Sequence, residues 1–449
     1  MMVWELKNSF AKIIFNLNRT LTLVMAQGKP MKSKIVINTI GSLGDLYPYL
    51  AIAIELKQRG YHPVLAASES LREFIESENI KFEPVRPNPE KYFSRTELVE
   101  RTFRPDGIIF LFSEVLLPYL KDSYDDLEEI CQDARLLISH PIAFAAPFVA
   151  QKKQIPWIST VLAPSSFFSA DDLPIFNPIL NFQGFPLWFK RLFIQFAKFS
   201  LYLTSHPIQK LRKELGLPPA KDPFFDDQYS PDLILGLFSS LLAPPQPDWP
   251  AQARLTGFSY FEPIDSKLPD ELRDFLNSGT APLIFTLGSS AVEVGKTFYT
   301  ESAMAAKKLG ERAVLLTGRN LGNKPSDLLD DTIIAVDYAP HFLLFPLGKA
   351  IVHQGGIGTT AQALKAGKPM IIVPFGADQF DNAARVERLG VGKTLFLRNY
   401  QTQEIVLTLT EILNNHQLFR QASTLGEQIQ QENGVAQSCV EIEKFLSGH

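Results

Sequence analysis

Cysteine is nearly missing from this sequence: Cys131 and Cys439 are the two in 449 residues, too far apart for a metal or redox pair. That scarcity excludes a disulfide-stapled scaffold and points to a reducing cytosol. No stretch approaches the ~20 apolar residues that a membrane-spanning helix requires. Positive charge is not in excess either, and a net charge of −4 leaves no footprint for nucleic acid. No Asp-x-Asp pair follows a candidate strand, no short repeat recurs, and no low-complexity tract interrupts the chain. What remains is the composition of a folded protein, 45% hydrophobic and 20% charged, long enough for two or three large cores. The 34 phenylalanines are unusual and hint at a greasy substrate or surface.

The most informative segment runs from Ala350 to Gly392. It reads as a strand (Ala350–His353), a turn rich in glycine (Gly355, Gly356, Gly358) and a helix opening at Thr359. A second strand, Met370–Pro374, leads to Asp378 and Gln379. Glycines between strand and helix let the backbone approach a ligand, and a helix N-terminus offers free N–H groups and partial positive charge. Such a turn suits a pyrophosphate, to which His353 can add a donor. Asp378 and Gln379 face the same crevice with the acceptors and donors that grip sugar hydroxyls. Phosphate on one side and hydroxyls on the other describe a nucleotide sugar. A dinucleotide is the competing reading, since Asp378 lies near the ribose-binding spacing. Against it, the glycine pattern matches that fingerprint only in part, the segment sits late in the chain, and Pro374 and Gly376 intervene.

Elsewhere the chain alternates strand and helix, which argues for parallel sheets covered on both faces. Candidate strands are Ile35–Ile40, Pro63–Ala67, Leu136–Ser139, Trp157–Val161 and, as the last of the first half, Leu233–Leu237. The proline-dense stretch 243–269 reads as a linker. Alternation restarts with Leu283–Leu287, Ala313–Thr317 and Thr332–Val336. The expected class is α/β, with two Rossmann-like parallel-sheet domains, 31–242 and 270–430, facing across a cleft. Residues 1–30 carry a basic amphipathic pattern suited to an anionic membrane surface, or else precede a genuine start at Met31.

The first half has its own turn, Gly41-Ser-Leu-Gly44-Asp45-Leu-Tyr-Pro48, at the end of its first strand. Asp45 is then held at the carboxyl edge of the sheet, where open α/β folds bind ligands, and can take a proton from a hydroxyl. It is equally a good helix cap. At the mirrored place stand Gly288-Ser289-Ser290, whose hydroxyls can donate to phosphate. Tyr338 and the backbone of Ala339 end another strand and could bracket a base. Around Phe167, Phe168 and Trp188, phenylalanines crowd with Lys190, Arg191 and Lys198. Aromatics with cations suit a lipid interface, an acyl tunnel, or an ordinary core helix with a basic outer face.

With these residues in hand, the chain resembles the nucleotide-sugar glycosyltransferases of the GT-B fold, the UDP-glycosyltransferase-like family. It is most similar there to the rhamnosyltransferases of rhamnolipid synthesis, and sterol glucosyltransferases share the Gly-Ser-x-Gly-Asp turn. The stretches APPQPDWP (243–250), TGF (256–258), DELRDFL (270–276), TLGSS (286–290), YAPH (338–341) and DQFDNAARVERLG (378–390) carry the likeness. The resemblance implies inverting transfer without a metal or other cofactor, from a UDP- or dTDP-sugar co-substrate. It makes Asp45 the base and gives the diphosphate to Ser289, His353, Gly355, Gly356, Gly358 and Thr359. Asp378 and Gln379 would contact the sugar, and the final segment, 431–449, would be a helix packed back on the first domain. Gln354 departs from the rhamnosyltransferase pattern, which has proline there. A lipophilic acceptor is expected near Gly41, Gly44, Phe167, Phe168 and Trp188, with the protein cytoplasmic or peripheral on the inner face of the cytoplasmic membrane. An epimerase or hydrolase of the same fold, or an idle nucleotide-sugar- or lipid-binding protein, is the alternative.

Overall fold

Thirteen strands form two separate all-parallel sheets among residues 33–177, 181–295 and 297–448, which the computed structural model describes. The expectation for residues 1–30 lies outside the described residues. In the first sheet are β1 (Lys34–Asn38), β2 (His62–Ala67), β3 (Lys81–Pro84), β4 (Leu136–Ser139), β5 (Trp157–Val161), β6 (Leu233–Gly236) and β7 (Ala253–Leu255). Their order is β3-β2-β1-β4-β5-β6-β7. In the second are β8 (Leu283–Thr286), β9 (Ala313–Leu316), β10 (Ile333–Val336), β11 (Ala350–His353), β12 (Met370–Ile372) and β13 (Gly392–Thr394). These run β10-β9-β8-β11-β12-β13.

The central strands read as continuous apolar runs because helices cover both faces; Ile35, Val36, Ile37, Leu283, Ile284 and Phe285 are all fully buried. Each order reverses once, between β1 and β4 and between β8 and β11. Loops leaving the carboxyl ends diverge at a reversal and open a crevice there. Topology therefore singles out the residues that follow β1, β4, β8 and β11.

Five helices matter to the site: α1 (Leu43–Gln58), α2 (Leu187–Tyr202), α3 (Ile357–Lys365), α4 (Gln379–Arg388) and α5 (Gly434–Gly448). Ser42 and Asp45 form a capping box, so α1 starts at Leu43 and Pro48 lies inside the helix. Three residues of the proline-dense stretch pair with β6 as β7, through Ile234 with Ala253 and Leu235 with Arg254. Leu233–Leu237 is thus not the last strand of its sheet. From α5, Cys439, Ile442 and Leu446 enter the apolar cluster that holds Leu46, Leu50 and Leu56 of α1. Arg59 bonds Glu443 at 2.8 Å beside it.

Candidate active site

At the first reversal, β1 leads into Gly41 and the capped start of α1. Asp45 accepts hydrogen bonds through Oδ2 from the Ser42 backbone N–H (2.7 Å) and the Ser42 hydroxyl (3.0 Å). A Cβ at Gly41 would stand 2.3 Å from that same Oδ2, so only glycine leaves room for the carboxylate here. The other oxygen, Oδ1, lies 3.7 Å from Nε2 of His140, which follows β4 on the opposite side of the reversal. Cap and proton acceptor are therefore compatible roles, one for each oxygen.

His140 is buried, and its Nδ1 accepts from the Ile142 backbone N–H at 3.2 Å. With Nδ1 an acceptor, the ring proton of the neutral form sits on Nε2, aimed at Asp45. Burial pushes the Asp45 carboxyl up. The neighbouring His140, then the backbone and hydroxyl of Ser42, outweigh that and hold it below the usual carboxylate value. Asp45 is an anion at neutral pH.

At the second reversal, β11 ends in the glycine turn. Gly356 is the N-cap of α3 and no side chain caps the helix. Gly358, in the first turn, is exposed and faces open space. The uncapped N–H groups and helix dipole are thus presented outward, as an anion site requires. Gly355 has φ of +89°, and a Cβ there would meet Ile372 at 2.5 Å. Thr359 lies at the same mouth, largely buried, its hydroxyl 3.4 Å from the Gln354 amide nitrogen.

Three features show that the two reversals face each other. A Cβ at Gly44 would lie 3.8 Å from the Ser289 hydroxyl of the other lobe. Burial, then the neighbouring Tyr338 of the other lobe, raises the Tyr47 phenol of α1. The charge of Asp45 also raises the pKa of Asp378, just before α4. Ser289 and Ser290 line the second lobe's side of this crevice, both part-exposed.

Asp378 accepts from Asn382 at 2.8 Å. Burial pushes its carboxyl up to about 7; Asn382 pulls it down, and the charge of Asp45 adds to the rise. The folded value exceeds the ~3.9 of an unfolded aspartate. Its contribution to stability is therefore fully present below about pH 4 and is lost as pH climbs through about 7. Asp378→Asn is expected to leave stability unchanged at pH 4 and to add about 2 kcal/mol above pH 7, after discounting for solvent access. Urea melts at both pH values check this, and equal gains would refute it.

Several expected site residues make contacts within the protein itself. His353 is fully buried: Nδ1 accepts from the Gly355 N–H (3.0 Å) and Nε2 faces the Met370 sulfur at 3.5 Å. Burial, then the nearby His341, drives its pKa down to about 3. His353 braces the turn as a neutral ring. Gln379 is also buried, and its carbonyl oxygen accepts from the N–H groups of Phe375 (2.8 Å) and Gly376 (3.3 Å). That oxygen shapes the loop before Asp378 and is closed to a sugar. Ala339 is fully buried, whereas Tyr338 is 62% exposed.

The acceptor-region aromatics separate. Phe167 stacks on Trp249 at 4.2 Å in the core. Phe168, at φ of +50°, stacks on Phe225, and Trp188 points to solvent. Conversely, His140 was not anticipated. Its signal was its place at the end of a strand, which becomes informative only when β4 is known to lie beside β1. Asn382 ties Asp378 to the Gly355 carbonyl (2.9 Å). Gln354 holds a buried amide oxygen without a partner among the described residues.

Residues 35–167 match the glycosyltransferase family 28 N-terminal domain. Residues 313–443 match the erythromycin biosynthesis protein CIII-like C-terminal domain. The chain is 28% identical over 421 residues to the O-mycaminosyltylonolide 6-deoxyallosyltransferase of Streptomyces fradiae, covering 92% of this chain and 97% of that one. It is 30% identical over 437 residues to a sterol 3-beta-glucosyltransferase of Gibberella zeae. That alignment takes in 91% of this chain but 29% of the fungal protein, so the chain spans less than a third of that relative's length. The calicheamicin glycosyltransferase CalG4 superposes with a TM-score of 0.72 over 93% of this chain and 98% of its own, at 16% identity. This last likeness bears on the fold.

Proposed function

The chain belongs to the GT-B glycosyltransferase family, and we propose that it transfers a hexose or deoxyhexose from a UDP- or dTDP-sugar to a hydroxyl of a lipophilic acceptor, with inversion and without a metal. One observation carries this reading: α1, whose first turn holds the anionic Asp45, packs against α3, whose start is uncapped, in the other lobe. The acceptor hydroxyl gives its proton to Asp45 while its oxygen bonds the anomeric carbon. On the far side, the bond from that carbon to the phosphate oxygen breaks and the diphosphate leaves with the electron pair. The N–H groups of α3 and the hydroxyls of Ser289 and Thr359 meet the charge that grows there. Base and leaving group on opposite lobes favour attack from behind, hence inversion.

His140 acts as a positioning residue, since its Nε2 faces Oδ1 of Asp45 at 3.7 Å. Asp378 accepts from the sugar hydroxyls, and Tyr338 flanks the base. Names among the relatives, deoxyallosyl and glucosyl, support a hexose of either kind; the sterol in one name supports a lipid-like acceptor. The test is transfer from labelled UDP-glucose and dTDP-deoxyhexoses to an apolar alcohol, with and without EDTA. Product of inverted anomeric configuration, formed at an unchanged rate in EDTA, is expected. Retention of configuration, or loss of activity that added magnesium restores, would refute the respective part.

A further inference from the structure

We propose that one face of α2 docks on an anionic lipid surface. Trp188, Leu192, Phe196, Phe199 and Leu203 are 67%, 57%, 67%, 61% and 68% exposed. At 3.6 residues per turn they fall within an arc of about 80° on the helix and the residue after it. Ile194 is the one residue of α2 that is buried, in a small cluster with Ala170 and Leu173. Lys198 is pinned from behind by Asp222 (2.6 Å) and Asp226 (3.0 Å). The helix is thus held by its back, with an apolar front left open. A contiguous patch of this kind marks an interaction surface.

Charge selects the occupant. From Leu173 to Lys213 the sequence contains no aspartate or glutamate, although the whole chain has net charge −4. Lys190, Arg191 and Lys213 remain at or near the surface in that segment. A second copy of the chain would bring the same positive charge against this face, whereas an anionic bilayer complements it. Aromatic side chains that enter the headgroup boundary, with cations beside them, are how an interfacial helix binds.

The segment that leads into α2 also touches the other lobe. Asp172, at the base of this segment, pairs with Arg385 and Arg388 of α4, and the Ile175 N–H donates to Asp381 of the same helix (3.2 Å). Docking stands on the surface itself; only its purpose, presenting a membrane-held alcohol to Asp45, rests on the acceptor reading above.

The test is flotation of the full chain with phosphatidylcholine vesicles, with or without phosphatidylglycerol. Preferential flotation with the anionic vesicles is expected. Phe196→Ser with Phe199→Ser should lower that binding about tenfold or more. Lys190→Gln with Arg191→Gln should weaken the anionic preference. Turnover of a short soluble alcohol should persist in both variants, showing that they fold. Wild-type flotation by the double phenylalanine variant would overturn the proposal, as would a wild-type chain that binds neither vesicle. So would size-exclusion chromatography in which that variant converts a dimer to a monomer. A chain that floats yet transfers no sugar would instead refute the functional reading and leave docking intact.

Discussion

Asp45→Asn is expected to cut sugar transfer by about a thousandfold, while donor affinity stays within about twofold. The asymmetry follows from what each oxygen does. Asparagine can still accept through Oδ1 from the Ser42 N–H, so the start of α1 should survive. It cannot take the acceptor's proton. The donor's diphosphate, which the proposed mechanism assigns to α3 on the other lobe, should not register the change. A second consequence is electrostatic: Asp378 loses the neighbouring charge that helps to raise it. Any inflection near pH 7 that arises from Asp378 should therefore move to lower pH in this variant. Single-turnover kinetics and calorimetric donor titration measure both effects. Full turnover by Asp45→Asn would remove the proposed base.

For Arg385→Ala the expected result is a loss of about 3–5 kcal/mol in folding stability. Its side chain is 2% exposed, donates through Nε to Asp381 at 2.7 Å and also pairs with Asp172. Removing it leaves Asp381, fully buried, without its cation. Burial already pushes the Asp381 carboxyl up, and Arg385 is the largest influence holding it down. Because Asp172 belongs to the first lobe and Asp381 to the second, the pair also ties the segment after β5 to α4. Chemical denaturation should show the destabilisation, and KM for the acceptor should rise more than that for the donor. Arg385→Lys should recover only part, since one ammonium cannot reproduce the guanidinium fork. A loss under about 1 kcal/mol would show that water or Arg388 already neutralises the cluster.

How much of this was visible beforehand can be followed residue by residue. The glycine turn at 355–358, the strand before it and the helix after it were readable from local sterics alone. The same holds for Gly41 and Asp45, where a turn, a cap and a carboxylate coincide within five residues. His353 stands at a strand end, as a ligand-facing donor would, yet its ring is buried and braces the turn. Only the packing of Met370 and His341 around it shows a neutral, buried ring. Phe167 and Trp188 belong to one aromatic-rich stretch, yet one became core and the other surface. Composition cannot separate them, because the partner that buries Phe167 is Trp249, many residues on. Strand β7 was hidden by prolines that argue against helix but say nothing about a three-residue edge strand.

By itself, the amino-acid order determined the alternation of strands and helices, the two glycine turns and the carboxylate at the first of them. Each depends on backbone conformations that neighbouring residues permit or forbid. Only the tertiary structure decided that His140 meets Asp45, that Asp45 opposes Asp378, and that α2 turns its aromatics outward. Those outcomes depend on burial and on charges brought close by strand order, and nothing within a few residues of each group encodes them.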